Sequence, residues 1–451
     1  MQCDLLIKDC SYMDKDMNIH EHVDLWIAKG RIAAVTLAAQ REKHNREGII
    51  FEPAQMIDGH NKLAMPGLID GHTHVCQHLL RGRISDEFPM IWTRFLVPFE
   101  SCLTPEDVYL SAGLACLQMI KSGTTAFADA GGTHMDQTAR AVLTSGMRAA
   151  LTRSTMDMGP TIPQSMKDPA QKCINKTEEL YKLYHGAGNG RIHIWFGLRQ
   201  IISCSEELLR MTASAAQEHQ TGIHMHLAEH KDEVIYCLEH YHMRPVEYMD
   251  LVGVLRENLV AAHCVAVTEK EIRRMRDRKM KVVHCPRANF CCQGFPKTPA
   301  LLEENISVGL GSDGSARDDI SIFEEMKTIR VGLTAAWGLP VFDSMALPNK
   351  QVLKMATQGG AAALQMEGVT GTIEVGSKAD IILLNIHAPH LEPTSNLAYT
   401  IAETAYGSDV TDSIIDGKVV MKDREVLTLD EEKILYECKG RMKSIYERAG
   451  I

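Results

Sequence analysis

Residues 63–74 read LAMPGLIDGHTH, an apolar run that ends on two histidines one residue apart. Side chains alternate along a strand with a period of two, so the spacing predicts that His72 and His74 share a face. Seven further short apolar runs follow: GTTAFADA (123–130), RAALTRST (148–155), IHIWFGLR (192–199), GIHMHLAE (222–229), NLVAAHCV (258–265), KVVHCP (281–286) and SVGLGSDG (307–314). Amphipathic stretches separate most of them, among them TPEDVYLSAGLACLQMIKSG, SEELLRMTASAAQEHQ and TEKEIRRMRDRK. Eight strands, most followed by a helix, predict an α/β chain folded as a closed (β/α)8 TIM barrel. The runs are near-continuously apolar, as parallel strands covered on both faces are.

The two ends read differently. Residues 1–62 hold short alternating segments, DLLIKDCSYM, HVDLWIAKGRIAAVT and IIFEPAQMID, and GTIEVGSKADIILLNI with DVTDSIIDGKVVMKDREVLTL follow the barrel. Together they predict a small β-sandwich-like domain. The expected division is 1–62 for its N-terminal part, 63–368 for the barrel, 369–429 for its C-terminal part and 430–451 for a closing helix.

The bulk composition narrows the function classes. The 451 residues carry a net charge of −10, which argues against a nucleic-acid binder. No stretch approaches the roughly 18 consecutive apolar residues of a membrane helix. The N-terminus has acids where a signal peptide has a basic region. Thirteen scattered cysteines, an odd number, fit free thiols in a reducing cytoplasm. CxxC pairs of the zinc-ribbon kind are absent, so the adjacent Cys291 and Cys292 read as packing residues. The expected partner is a small molecule, with homo-oligomerisation left open.

In a barrel of this kind the site lies at the C-terminal ends of the strands. There the sequence places His72 and His74 (strand one), Arg199 (four), His224, His226 and Glu229 (five), His263 (six), His284 (seven) and Asp313 (eight). Three or four imidazoles with one carboxylate form a nitrogen and oxygen donor set suited to Zn²⁺ or Fe²⁺ rather than Mg²⁺ or Ca²⁺. A lone histidine in an apolar strand is usually a hydrogen-bonded core residue; the set as a whole is what points to a metal. His224 reads as an inward packing residue, and His284 as support behind the ligands.

MPGLIDGHTH, GIHMHLAEHKDEV, LVAAHCV, HCPRANF, GLGSDG and the closing GTIEVGSKADIILL resemble, in order and spacing, the blocks of the amidohydrolase superfamily, in particular its deaminase branch. The nearest likeness is to the adenosylhomocysteine/methylthioadenosine deaminases, with triazine hydrolases close by. The resemblance implies that His72, His74, His226 and Asp313 bind one divalent transition metal, Zn²⁺ first, with Fe²⁺ or Mn²⁺ as alternatives. It implies that Glu229 shuttles protons, that His263 faces the reacting water or leaving group, and that Asp313 acts in catalysis too. Trp92 matches a pocket tryptophan, and Glu100 matches the acid that contacts ribose hydroxyls. Two positions depart from the pattern. Arg199, in GLRQIISCS, stands where the group has a substrate-binding histidine, and Arg317, in SDGSAR, replaces a small hydroxyl residue. Both are candidate substrate-binding residues; the alternative is that each merely pairs with an acid such as Asp318 or Asp319.

Relatives with two metals bridge them with a modified lysine on the fourth strand, and IHIWFGLRQ has no lysine, so one metal is expected. The expected reaction is hydrolytic deamination of an amino-substituted nitrogen heterocycle. Alternatives are a triazine chlorohydrolase type, a guanine, pterin or cytosine deaminase, and a non-catalytic scaffold on the same fold. The HxE and PCxxC signature of the cytidine-deaminase type of zinc site is absent.

Overall fold

The computed structural model describes residues 3–40, 53–87, 90–316, 319–343 and 345–451. Eight parallel strands pair in chain order: Leu68–Thr73, Thr124–Asp129, Arg148–Thr155, Ile192–Leu198, Ile223–Leu227, Leu259–His263, Lys281–His284 and Val308–Leu310. A parallel bridge between Thr73 and Asp313 joins the eighth strand back to the first. Ile69, Ala126, Ala128, Ala150, Trp195, Val260 and Val283 form one cluster, the barrel interior, and Ala361, Ala363, Leu364 and Met366 pack into it. Residues of the opposite parity, such as Ile194, Phe196, Met225 and Ala261, join the larger core beneath the helices. This two-sided burial is the reason the strands read as continuous apolar runs.

The terminal segments build a second, mixed sheet of nine strands among the described residues. Its strand Cys3–Met13 pairs antiparallel with Ile19–Ala28 on one side. On the other side it pairs parallel with two strands, Pro53–Asp58 along its first half and Lys62–Pro66 near its end. Lys62–Pro66 then pairs with Ile381–Asn385, which unites the two ends of the chain. The reading of 63–74 as one strand is corrected here: the run breaks at Gly67, whose N–H donates to the Asp380 carbonyl at 3.0 Å. The part before the break belongs to the terminal sheet and the part after it to the barrel. No described helix is long and apolar enough to cross a membrane.

Candidate metal centre and active site

Strict alternation does not by itself bring the histidines together. Ile69 faces the barrel interior, so alternation would send His72 to the opposite face. The register with the second strand slips between Asp70 and Thr73, and a bulge of this kind re-aims a side chain. His72 consequently stacks on His224, ring centroids 4.9 Å apart. His224 is itself interior, paired in register with Val260. His263 is registered against Leu227, an outward position, but its φ of 74° breaks the alternation. Its ring comes within 5.1 Å of His72. Asp313 also has a left-handed backbone, φ 59°. Such conformations cost about 1–3 kcal/mol each and concentrate where the surrounding structure enforces them.

The eighth strand is drawn tightly against the first. A Cβ on Gly311 would lie 2.8 Å from the His72 carbonyl oxygen, so a residue with a side chain cannot stand there. The Asp313 N–H donates to the His72 carbonyl at 2.9 Å, and the Thr73 hydroxyl donates to the Asp313 carbonyl at 2.8 Å. These bonds hold the Asp313 carboxylate at the histidines, with Oδ1 3.6 Å from His72 Nε2 and 3.5 Å from His74 Nε2.

His72, His74 and His226 each offer one ring nitrogen within 4.8 Å of the others, and His72, His263 and Asp313 form an overlapping group. The hydrogen bonds behind these rings decide which nitrogens carry lone pairs. His226 Nδ1 donates to the Arg199 carbonyl at 2.9 Å, which leaves its Nε2 bare. That Nε2 lies 3.1 Å from His74 Nε2. His72 Nδ1 is 3.0 Å from His224 Nε2, while His72 Nε2 is buried with no partner. Burial keeps all three rings uncharged: it pushes His72 down to about 4 and His74 and His226 well below the usual imidazole range. The Arg199 guanidinium adds to this at each ring. Burial pushes the Asp313 carboxyl up, but its close approach to His72, with His263 and His74 nearby, outweighs burial and holds it well below the usual range. Neutral imidazoles and an ionised carboxylate around one point, with an orphaned nitrogen among them, fit a divalent transition metal.

Glu229 stands at the rim, its Oε1 3.9 Å from His263 Nε2. Its two oxygens accept from the amides of Gln293, at 2.7 Å, and Gln200, at 3.3 Å. His284 supports His263 from outside, Nδ1 donating to the His263 carbonyl at 2.8 Å. Trp92 is half-buried against Val97, Met156, Ile162 and Met166. His230 caps a helix by accepting from the Asp232 N–H. His78 is buried.

Arg199 and Glu100 meet each other. Their charged atoms are 3.2 Å apart, 3% and 0% exposed, and the Gln77 amide donates to Glu100 at 2.7 Å. Sequence reasoning raised an ion pair for Arg199 with an acid such as Asp318 or Asp319; among the described residues the acid it meets is Glu100, 99 residues away, and only the fold joins them. Arg317 and Asp318 lie outside the described residues. Gln77, Gln200, Asn289 and Gln293 were missed, because an amide has neither the charge nor the ligand chemistry that marks a site in a sequence.

The sequence model of the amidohydrolase family matches residues 63–420. The chain belongs to the amidohydrolase family. A 5-methylthioadenosine/S-adenosylhomocysteine deaminase of Pelotomaculum thermopropionicum is 38% identical over 401 residues, 88% of this chain and 89% of that protein. A 5'-deoxyadenosine deaminase of Methanosarcina acetivorans is 34% identical over 451 residues, 99% of each chain. The crystal structure of an adenosine deaminase from Xanthomonas campestris with bound zinc superposes with a TM-score of 0.91, at 26% identity and over 99% of each chain. An atrazine chlorohydrolase from Arthrobacter aurescens, at 21% identity and a TM-score of 0.87 over 97% of this chain and 100% of that one, shares the fold. Within its family this amidohydrolase is an enzyme of the deaminase branch, a hydrolase of carbon–nitrogen bonds in cyclic amidines, and the family is metal-dependent.

Proposed function

We propose that this amidohydrolase removes an exocyclic amine, as ammonia, from a small amino-substituted nitrogen heterocycle. In this reading it is similar to the adenosylhomocysteine and methylthioadenosine deaminases, with an altered pocket beside Glu100. One observation carries the reading: three neutral imidazoles and the Asp313 carboxylate converge on one point, with Glu229 and His263 beside it. His72, His74, His226 and Asp313 would hold a single metal, taken as Zn²⁺, with Fe²⁺ and Mn²⁺ as other ions of suitable chemistry. A divalent ion held there would supply the chemistry of lowering the pKa of water from about 15.7 to about 7, which would favour hydroxide near neutral pH.

The chain's own groups manage the protons. Asp313 takes one from the attacking water. Glu229 takes the water's second proton and delivers it to the ring nitrogen beside the reacting carbon, which lets that carbon accept the oxygen. His263 hydrogen-bonds the oxygen that is added. As the tetrahedral centre collapses, Asp313 passes its proton to the amine, the carbon–nitrogen bond breaks, and ammonia leaves. Trp92 offers an apolar wall for a flat ring. Arg199, Glu100 and Arg317 are assigned to the substrate side of the pocket, the first two as a joined pair. The net charge of −10 supports a small-molecule partner over nucleic acid or an anionic membrane, and the thirteen scattered cysteines support a cytoplasmic location.

The test is ammonia release across adenosylhomocysteine, methylthioadenosine, adenosine, guanine, pterins, cytosines and aminotriazines, with chloride release followed in parallel on chlorotriazines. Ammonia from at least one member supports the reading. Chloride without ammonia replaces it with the chlorohydrolase reaction.

A further inference from the structure

Behind the site, four side chains form a hydrogen-bonded chain whose polarity is fixed at one end. The Cys285 backbone N–H donates to Asn289 Oδ1 at 3.1 Å. A backbone N–H can only donate, so the oxygen of this amide faces Cys285 and its nitrogen faces the other way. Both hydrogens of that nitrogen are then used. One goes to His263 Nδ1 at 3.0 Å, the other to Gln293 Oε1 at 2.6 Å. The Gln293 amide is thereby oriented too, and its nitrogen donates to Glu229 Oε1 at 2.7 Å. Flipping Asn289 would set its NH₂ against the Cys285 N–H, donor against donor. Asn289 is fully buried, so no solvent relieves that conflict.

We infer that Asn289 is a positioning residue that sets the proton pattern of the site: it keeps His263 with its proton on Nε2 and, through Gln293, aims a carboxylate oxygen of Glu229 at the same point. His263 Nδ1 accepts, so a neutral ring carries its hydrogen on Nε2. That Nε2 is buried, finds no partner in the protein, and lies 3.9 Å from Glu229 Oε1. His263 therefore offers a hydrogen-bond donor to whatever enters between them. A nitrogen that bears a proton cannot also ligate a metal. This separates His263 from His226, whose Nδ1 is the donor and whose Nε2 is bare. The two histidines have opposite tautomers because opposite partners stand behind them, an amide nitrogen for one and a carbonyl for the other. Proton acceptance falls to Glu229 and Asp313, and the substrate atom or added oxygen that meets His263 must be an acceptor.

The roles of His263 and Glu229 rest on the deaminase reading, but the tautomer does not, and it is measured separately. Nitrogen-15 NMR of the zinc-loaded protein with labelled histidines, His263 identified by its loss in His263→Asn, is expected to show the proton on Nε2. A proton on Nδ1 overturns the inference whether or not ammonia is released. In kinetics, Asn289→Ala is expected to lower kcat about 10- to 100-fold, the range for residues that orient site groups from behind. KM and zinc content are expected to stay within about twofold of the parent's. In a His263→Ala background the same change is expected to cost clearly less than in the parent, because one of the two groups it positions is gone and only the path through Gln293 to Glu229 remains. An equal loss in both backgrounds, or full activity in Asn289→Ala, overturns it. If Asn289→Ala does not fold, the half-buried Gln293 gives the parallel cycle: Gln293→Met is expected to slow the parent about 10-fold and to add nothing to Glu229→Gln.

Discussion

The Arg199 guanidinium lies 3.2 Å from the Glu100 carboxylate at the barrel mouth, and neither side chain has appreciable exposed surface. Removing one member of such a pair strands the other charge in the interior, at a cost of about 3–5 kcal/mol. Arg199→Met is therefore expected to lower the urea midpoint markedly, and the double variant with Glu100→Gln to recover most of the loss. Because the pair is closed on itself, replacing a neutral substrate with an anionic analogue is expected to change kcat/KM little. A strong preference for the anionic analogue would show that Arg199 leaves Glu100 to bind it.

Glu229 is held from both sides by amides and stands beside the convergent histidines without joining them. Glu229→Gln keeps the shape and removes the proton acceptor. Turnover is expected to fall about a hundred- to ten-thousand-fold, the usual worth of a general acid–base group, with metal content unchanged. Full turnover in this variant would remove Glu229 from the mechanism.

His284 is buried behind His263, and burial first of all pushes its ring down to about 4. In the unfolded chain the ring titrates near 6.5. Between these values the unfolded state binds a proton that the fold excludes, so this stability is full above about pH 6.5 and falls as the pH drops toward 4. His284→Asn has nothing to titrate there. Urea melts at pH 7.5 and pH 5 are expected to show a smaller loss in the variant than in the parent.

Arg148, at the start of the third barrel strand, makes a two-pronged pair with Asp380 at 2.9 and 3.1 Å, both buried. Asp380 also accepts the Asp416 N–H at 2.7 Å. This pair fastens the terminal sheet to the end of the barrel remote from the site. Arg148→Met is expected to destabilise the protein by about 3–5 kcal/mol while leaving kcat per folded molecule unchanged. A drop in kcat without a drop in stability would contradict that division of labour.

The barrel was legible in the sequence because burial on both faces leaves long apolar runs, and because polar residues collect where those runs stop. The metal-ligand candidates were legible by type. How they converge was not: period-two alternation would turn His72 and His263 outward, and they face inward through a bulge and a left-handed φ that no residue type announces. The break at Gly67 was hidden because apolar residues, Leu63 to Met65 and Leu68 with Ile69, stand buried on both sides of it. Amides such as Asn289 and Gln293 become visible only when the fold shows what each one faces.

The central claim is that the convergent histidines and Asp313 hold a metal that ammonia release requires. The most direct measurement follows ammonia from the best substrate of the panel while metal is removed with a chelator and zinc is then returned. The account predicts about one metal ion per chain, release that stops on removal and returns with zinc, and a lower thermal midpoint in the stripped protein. Undiminished release from fully stripped protein would contradict it.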